Sequence, residues 1–149
     1  MKSIENLSAT GQLRIVITAP DGTIREDRSE KNLVVSTGLN FIVQRMKDAT
    51  VGVMSHMALG TGTTPAALGD TTLQTEIAGS RVVLSTTTVS TNTITYVSSF
   101  AAGIGTGAVT EAGIFNAATV GTMLCRTAFP VVNKQAGDSM SVTWTITVN

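Results

Sequence analysis

The stretch from Met140 to Val148 constrains the fold more than any other. Met140, Val142, Trp144, Ile146 and Val148 alternate with Ser141, Thr143, Thr145 and Thr147. A period of two places the apolar set on one face and the hydroxyls on the other, the pattern of a strand with one buried side. Such a strand needs antiparallel neighbours for its backbone and a second layer for its apolar face. Candidate neighbours are plentiful. Leu13, Ile15 and Ile17 alternate within 12–18, and Pro20-Asp21-Gly22-Thr23 is a turn. Segments 80–90 and 93–100 flank Thr91-Asn92 as a β-hairpin, with Asn92 suited to a left-handed turn. Segments 54–59, 109–115 and 122–129 read as further strands. Threonine is the commonest residue, and β-branched side chains favour strands.

The pattern predicts a mainly β fold, an antiparallel β-sandwich of jelly-roll-like kind or an open barrel, with one α-helix at 37–47. Ser36 or Thr37 is the expected helix cap. Leu39, Ile42, Val43 and Met46 recur at helical spacing and form the stripe expected to face the core. Asp70 is expected to cap a short helical turn running to Glu76. With 149 residues the chain fits a single domain, 1–149. Within it, 1–36 reads as a charged N-terminal arm or hairpin, 37–48 as the helix and 53–149 as the sandwich body.

Charge is scarce and uneven. Charged residues make up 13% of the chain, about half the usual share for a soluble domain. Ten basic and ten acidic side chains cancel, which argues against bulk attraction to nucleic acid. Thirteen of those twenty charges precede residue 49. The rest of the chain reads as strands coated with hydroxyls, wet enough to dissolve yet cheap to desolvate against another subunit. No apolar run is long enough to span a membrane as a helix, and MKSIENLSATGQ lacks the apolar core of a secretory signal.

Chemistry-bearing constellations are sparse. His56 is the sole histidine and lacks metal-ligand neighbours at useful spacing, so it reads as an ordinary hydrogen-bonded residue. Cys125 sits in a strand pattern and reads as a small core residue, not a nucleophile. Gly60-Thr61-Gly62 and the glycines of 103–107 match no phosphate-loop pattern. No catalytic residue, cofactor or metal is therefore expected, and the chain does not read as an enzyme. Two groups of charges invite a role. The run Arg25, Glu26, Asp27, Arg28, Glu30 and Lys31 has balanced signs and could dock on a partner of complementary charge. Glu111, isolated in the charge-poor region, calls for a partner; Arg126 is the candidate for a structural ion pair, with Arg81 the alternative.

Four segments together, ALGTGTTPAALGDTTLQTEI (58–77), TEAGIFNA (110–117), GTMLCRTAF (121–129) and KQAGDSMSVTWTITV (134–148), carry a family resemblance. In this order they resemble small virion structural proteins of tailed bacteriophages, among them capsid decoration (cement) proteins. Related modules occur in head- and tail-fibre proteins. The resemblance implies a cement protein on the outer surface of the phage head, made in the bacterial host cytoplasm. Its partners would be the major capsid protein and further copies of itself, as a dimer or trimer. The N-terminal region, 1–31, departs from the family pattern and is the expected capsid contact. The alternative within the class is a tail, neck or head-fibre adaptor subunit. The rival class is a carbohydrate-binding or hydrolytic β-sandwich, which would need exposed aromatics or a converging carboxylate pair such as Asp70 and Glu76.

Overall fold

The computed structural model describes residues 7–149. Met1–Asn6, part of the expected capsid-contact region, lies outside the described residues. Nine strands and one helix follow in chain order. They are β1 (Ala9–Thr18), β2 (Ile24–Val34), α1 (Ser36–Lys47), β3 (His56–Gly60), β4 (Val82–Val83), β5 (Thr86–Ser90), β6 (Thr93–Phe100), β7 (Gly107–Phe115), β8 (Met123–Lys134) and β9 (Ser139–Val148). They form one antiparallel sheet in the order β4-β3-β7-β8-β2-β1-β9-β6-β5, which curls into a half-barrel. The fold is mainly β with one helix, as the residue pattern predicts.

β9 is central to one half of the sheet. It pairs with β1 from Ala9↔Val148 to Thr18↔Ser139, and with β6 from Thr93↔Thr147 to Phe100↔Met140. Its alternation is realised in burial: Met140, Val142, Trp144 and Ile146 are buried, and the intervening hydroxyls are half-buried. Leu13, Ile15, Ile17, Tyr96 and Phe100 join them in one core with residues of the other half, including Met57, Leu59, Ile114 and Val132. The turn between β5 and β6 is tight, but its left-handed residue is Thr91, at φ 52°, and not Asn92. The cost of that conformation is local, because both flanking strands already set the path of the chain.

β2 joins the two halves. Its first part pairs with β1, and its last two residues pair with β8 as Leu33↔Arg126 and Val34↔Cys125. The charged hairpin is thus built into the middle of the sheet. On the far side, segment 82–90 reaches both ends of the strand order. Leu84 N donates to Ser55 O at 2.8 Å and Ser85 N to Val97 O at 2.7 Å.

The helix lies where the sequence puts it but is rotated. Gly38 and Phe41 are buried, whereas Leu39, Val43 and Met46 are 42%, 63% and 79% exposed. Gly38 decides this. A Cβ there would lie 1.9 Å from the Leu124 carbonyl oxygen, so the helix backbone touches β8 directly at the one residue without a side chain. Neither Ser36 nor Thr37 caps it; the cap position is Val35, without a side-chain bond. Instead, Ser36 N donates to Leu68 O and Thr37 Oγ1 to Met123 O, so tertiary contacts replace the local cap. The expected helical turn from Asp70 to Glu76 is absent; that segment is irregular loop.

Candidate functional site

The loop between β3 and β4 is held by the most densely bonded group of side chains in the described chain. Glu111 and Arg126 are almost completely buried on β7 and β8. Glu111 is opposite Gly60 and Ala128, and Arg126 is opposite Gly113 and Leu33. Arg126 donates to Glu111 Oε2 from Nε at 2.9 Å and lies 2.8 Å from it at Nη2. The carboxylate also accepts three backbone N–H groups: Gly62 at 3.0 Å, Gln74 at 3.0 Å and Thr75 at 2.7 Å. Arg126 uses its remaining donors on Asp70 Oδ2 at 2.8 Å and Thr64 O at 3.0 Å. Asp70 in turn accepts from Ala67 N at 2.9 Å. Where a helix cap was expected, Asp70 serves as the outer anchor of an ion-pair chain.

Local sequence makes this approach feasible. A Cβ at Gly60 or Gly62 would sit 2.4 or 2.6 Å from Glu111 Oε1. The Gly-Thr-Gly triplet is therefore the gap through which a carboxylate reaches loop amides. Thr110 Oγ1 donates to Gly62 O at 2.8 Å, and Gln74 pairs with Thr64 through both ends of its amide.

Two further arginines do similar work. Arg81 grips Glu76 at 3.0 and 2.7 Å, reaches the carbonyls of Ala117 and Val120, and stacks 3.8 Å from the Phe115 ring centroid. It is thus a second tie, not the partner of Glu111. Arg25 binds both oxygens of buried Asp138, at 3.0 and 2.8 Å. Beside it, Lys134 Nζ donates to Ala101 O and Asp138 O; burial lowers its pKa, and the Asp138 charge opposes that shift.

The structure spreads the charged run of β2 over several partners. Asp27 meets Arg14 at 2.7 Å, and that guanidinium lowers the carboxyl pKa. Arg28 lies 2.9 Å from Glu26 and 3.7 Å from Glu30, and donates to Pro130 O and Val131 O. Lys31 is exposed and has no side-chain partner among the described residues. Most of the run is thus committed within the molecule.

Chemically, these clusters bind the chain to itself. Asp70 and Glu76 are each held by a different arginine and form no free acid–base pair. His56 Nδ1 lies 2.8 Å from Ser55 Oγ, with no metal-ligand cluster among the described residues. Cys125 is fully buried, and burial raises its pKa, which keeps the thiol protonated. Sequence reasoning missed a cavity of about 560 Å³ between α1 and the sheet, walled by Phe41, Ile42, Met54, Ile94, Tyr96 and Leu124. Its signal was the helical stripe, of which Ile42 and Met46 line the cavity, while Leu39 and Val43 are exposed away from it. No described helix is long and apolar enough to cross a membrane. No family model, no curated protein and no solved structure matches this chain.

Proposed function

We propose that this chain is a structural protein of a tailed-bacteriophage virion, a capsid decoration protein that stabilises contacts between capsomers from outside. One observation carries the reading furthest. Segments from the resemblance meet at one place: 58–77 supplies the loop, 110–117 supplies Glu111 and 121–129 supplies Arg126. Their common purpose is to bind a long loop firmly to a sheet. Residues spent in this way suit a rigid building block better than a reactive centre, because a carboxylate with five donors has no lone pair left for a substrate.

The surface supports the same reading. Thr86, Thr88 and Ser90 on β5, Thr93, Thr95 and Ser99 on β6, and Ser141, Thr143, Thr145 and Thr147 on β9 share the outer face by register. A face of hydroxyls loses less hydration on burial than a charged one, which suits close packing in a crowded coat. Tyr96, Trp144 and all four phenylalanines are buried, so no aromatic platform stands ready for a sugar. Cementing needs only that the protein bind the assembled shell better than its parts, with the gain multiplied over many sites.

Immunogold labelling and cryo-electron microscopy of the virion test the proposal. The expected signal is spread over the head. Signal confined to one vertex, the neck or the tail would make the chain an adaptor or fibre subunit. Absence from purified virions would sink the structural reading altogether.

A further inference from the structure

The sheet leaves strand edges unpaired in its interior, where β2 and β8 part, and at its β5 end, and the chain finishes the two differently. Where β2 parts from β8, only two residue pairs connect them. Beyond that point Arg28 caps the β8 carbonyls of Pro130 and Val131 at 2.8 and 3.0 Å, flanked by Glu26 and Glu30. Charges, a proline and a guanidinium on free carbonyls are the devices by which proteins stop an open edge from pairing.

The border at β5 carries none of them. β5 ends the strand order and pairs only with β6, in a register of five consecutive residues without a bulge. From Leu84 to Asn92 the chain holds no charge, proline or glycine. All five strand residues are exposed, and Val89 is 70% exposed. Val89 and Thr87 face the same way as Ile94 and Tyr96 by register, so the apolar inner face of the sheet ends bare at this edge.

We propose that β5 is the seam of a two-fold homodimer, in which it pairs antiparallel with β5 of a second copy. The two sheets then become one continuous sheet across the axis. The occupant follows from the edge itself. Centred on Thr88, the pairing sets Thr86 against Ser90, Thr87 against Val89 and Thr88 against its own copy. The three central pairs join threonine and valine, both good strand formers, the outer pairs join hydroxyls, and no like charges meet. A different protein would find no charge on this edge to recognise, whereas a second copy finds a match at each position. The pairing also covers Val89 with Thr87 of the second copy. This seam does not depend on the virion reading.

Sedimentation equilibrium of the full chain tests it, together with Val89→Lys and the loop control Val120→Lys at an 86% exposed position. Wild type and Val120→Lys are expected at twice the 15.4 kDa chain mass, and Val89→Lys at the chain mass. Should Val89→Lys fail to fold by circular dichroism, Thr88→Cys decides. Mild oxidation then yields a disulfide-linked dimer in that variant and none in wild type, whose single thiol, Cys125, is buried. A wild-type mass other than two chains overturns the proposal. So does a folded Val89→Lys that keeps the wild-type mass, or Thr88→Cys that does not cross-link.

Discussion

Arg126 closes on Glu111 through two nitrogens, at 2.9 and 2.8 Å, inside a structure where both side chains are shut away from water. The pair joins β7 to β8 and, through three loop amides, joins the 61–75 segment to both. Neutralising Glu111 leaves the buried Arg126 charge with Asp70, a partly exposed carboxylate, as its sole remaining counter-charge. Glu111→Gln is expected to cost about 3–5 kcal/mol, read as a lower urea midpoint. Adding Arg126→Met should cost less than the sum of the singles, because the second change removes the stranded charge. Additive losses would mean that the two side chains do not act as a unit.

Glycine positions give a sharper test of the same loop. Gly60→Ala forces a Cβ against Glu111 Oε1 and is expected to destabilise by about 1–3 kcal/mol. Gly69→Ala, with nothing within 4 Å, should stay within about 0.5 kcal/mol of wild type. Amide hydrogen exchange at Gly62, Gln74 and Thr75 should quicken in the first variant alone.

The rotated helix makes a prediction opposite to that of its sequence stripe. Gly38→Ala drives a methyl into the Leu124 carbonyl and should loosen α1 from β8 at a cost of about 1–3 kcal/mol. Val43→Lys, in the middle of the apolar stripe, should change the thermal midpoint little because the side chain is already exposed. A stripe packed in the core would give the reverse order.

Tyr96 supplies a pH dependence. Burial, followed by the nearby Cys125, pushes its pKa up to about 12 from an ordinary value of 10.0. The raised pKa means that the folded state holds the neutral phenol. This contribution to stability is whole below about pH 10 and is lost as pH rises towards 12. Tyrosinate absorbance should therefore lag behind that of the unfolded chain across this window. A midpoint near 10 with the fold intact would show a phenol open to water.

Legibility in the sequence tracked the range of the interaction. Alternation is local, so Met140–Val148, Leu13–Ile17 and the 80–100 hairpin region could be read as strands from neighbours two residues apart. The candidate pairing of Glu111 with Arg126 needed only that a lone carboxylate in an apolar segment find a cation. Asp70 as the third member could not be seen, because its cap-like spacing is local and Arg126 lies 56 residues away. Gly38 gave no sequence signal either; its meaning depends on a carbonyl of β8.

By itself, the sequence determined that this chain pairs strands, buries one face of each and carries a single helix, since periodicity specifies which side chains must leave water together. Tertiary structure alone decided which face of that helix is covered and which arginine serves which carboxylate. It also decided that the charged hairpin lies in mid-sheet and that a neutral strand closes its border. Those outcomes rest on close approach between residues distant along the chain, where a missing Cβ or a buried charge outweighs any local pattern.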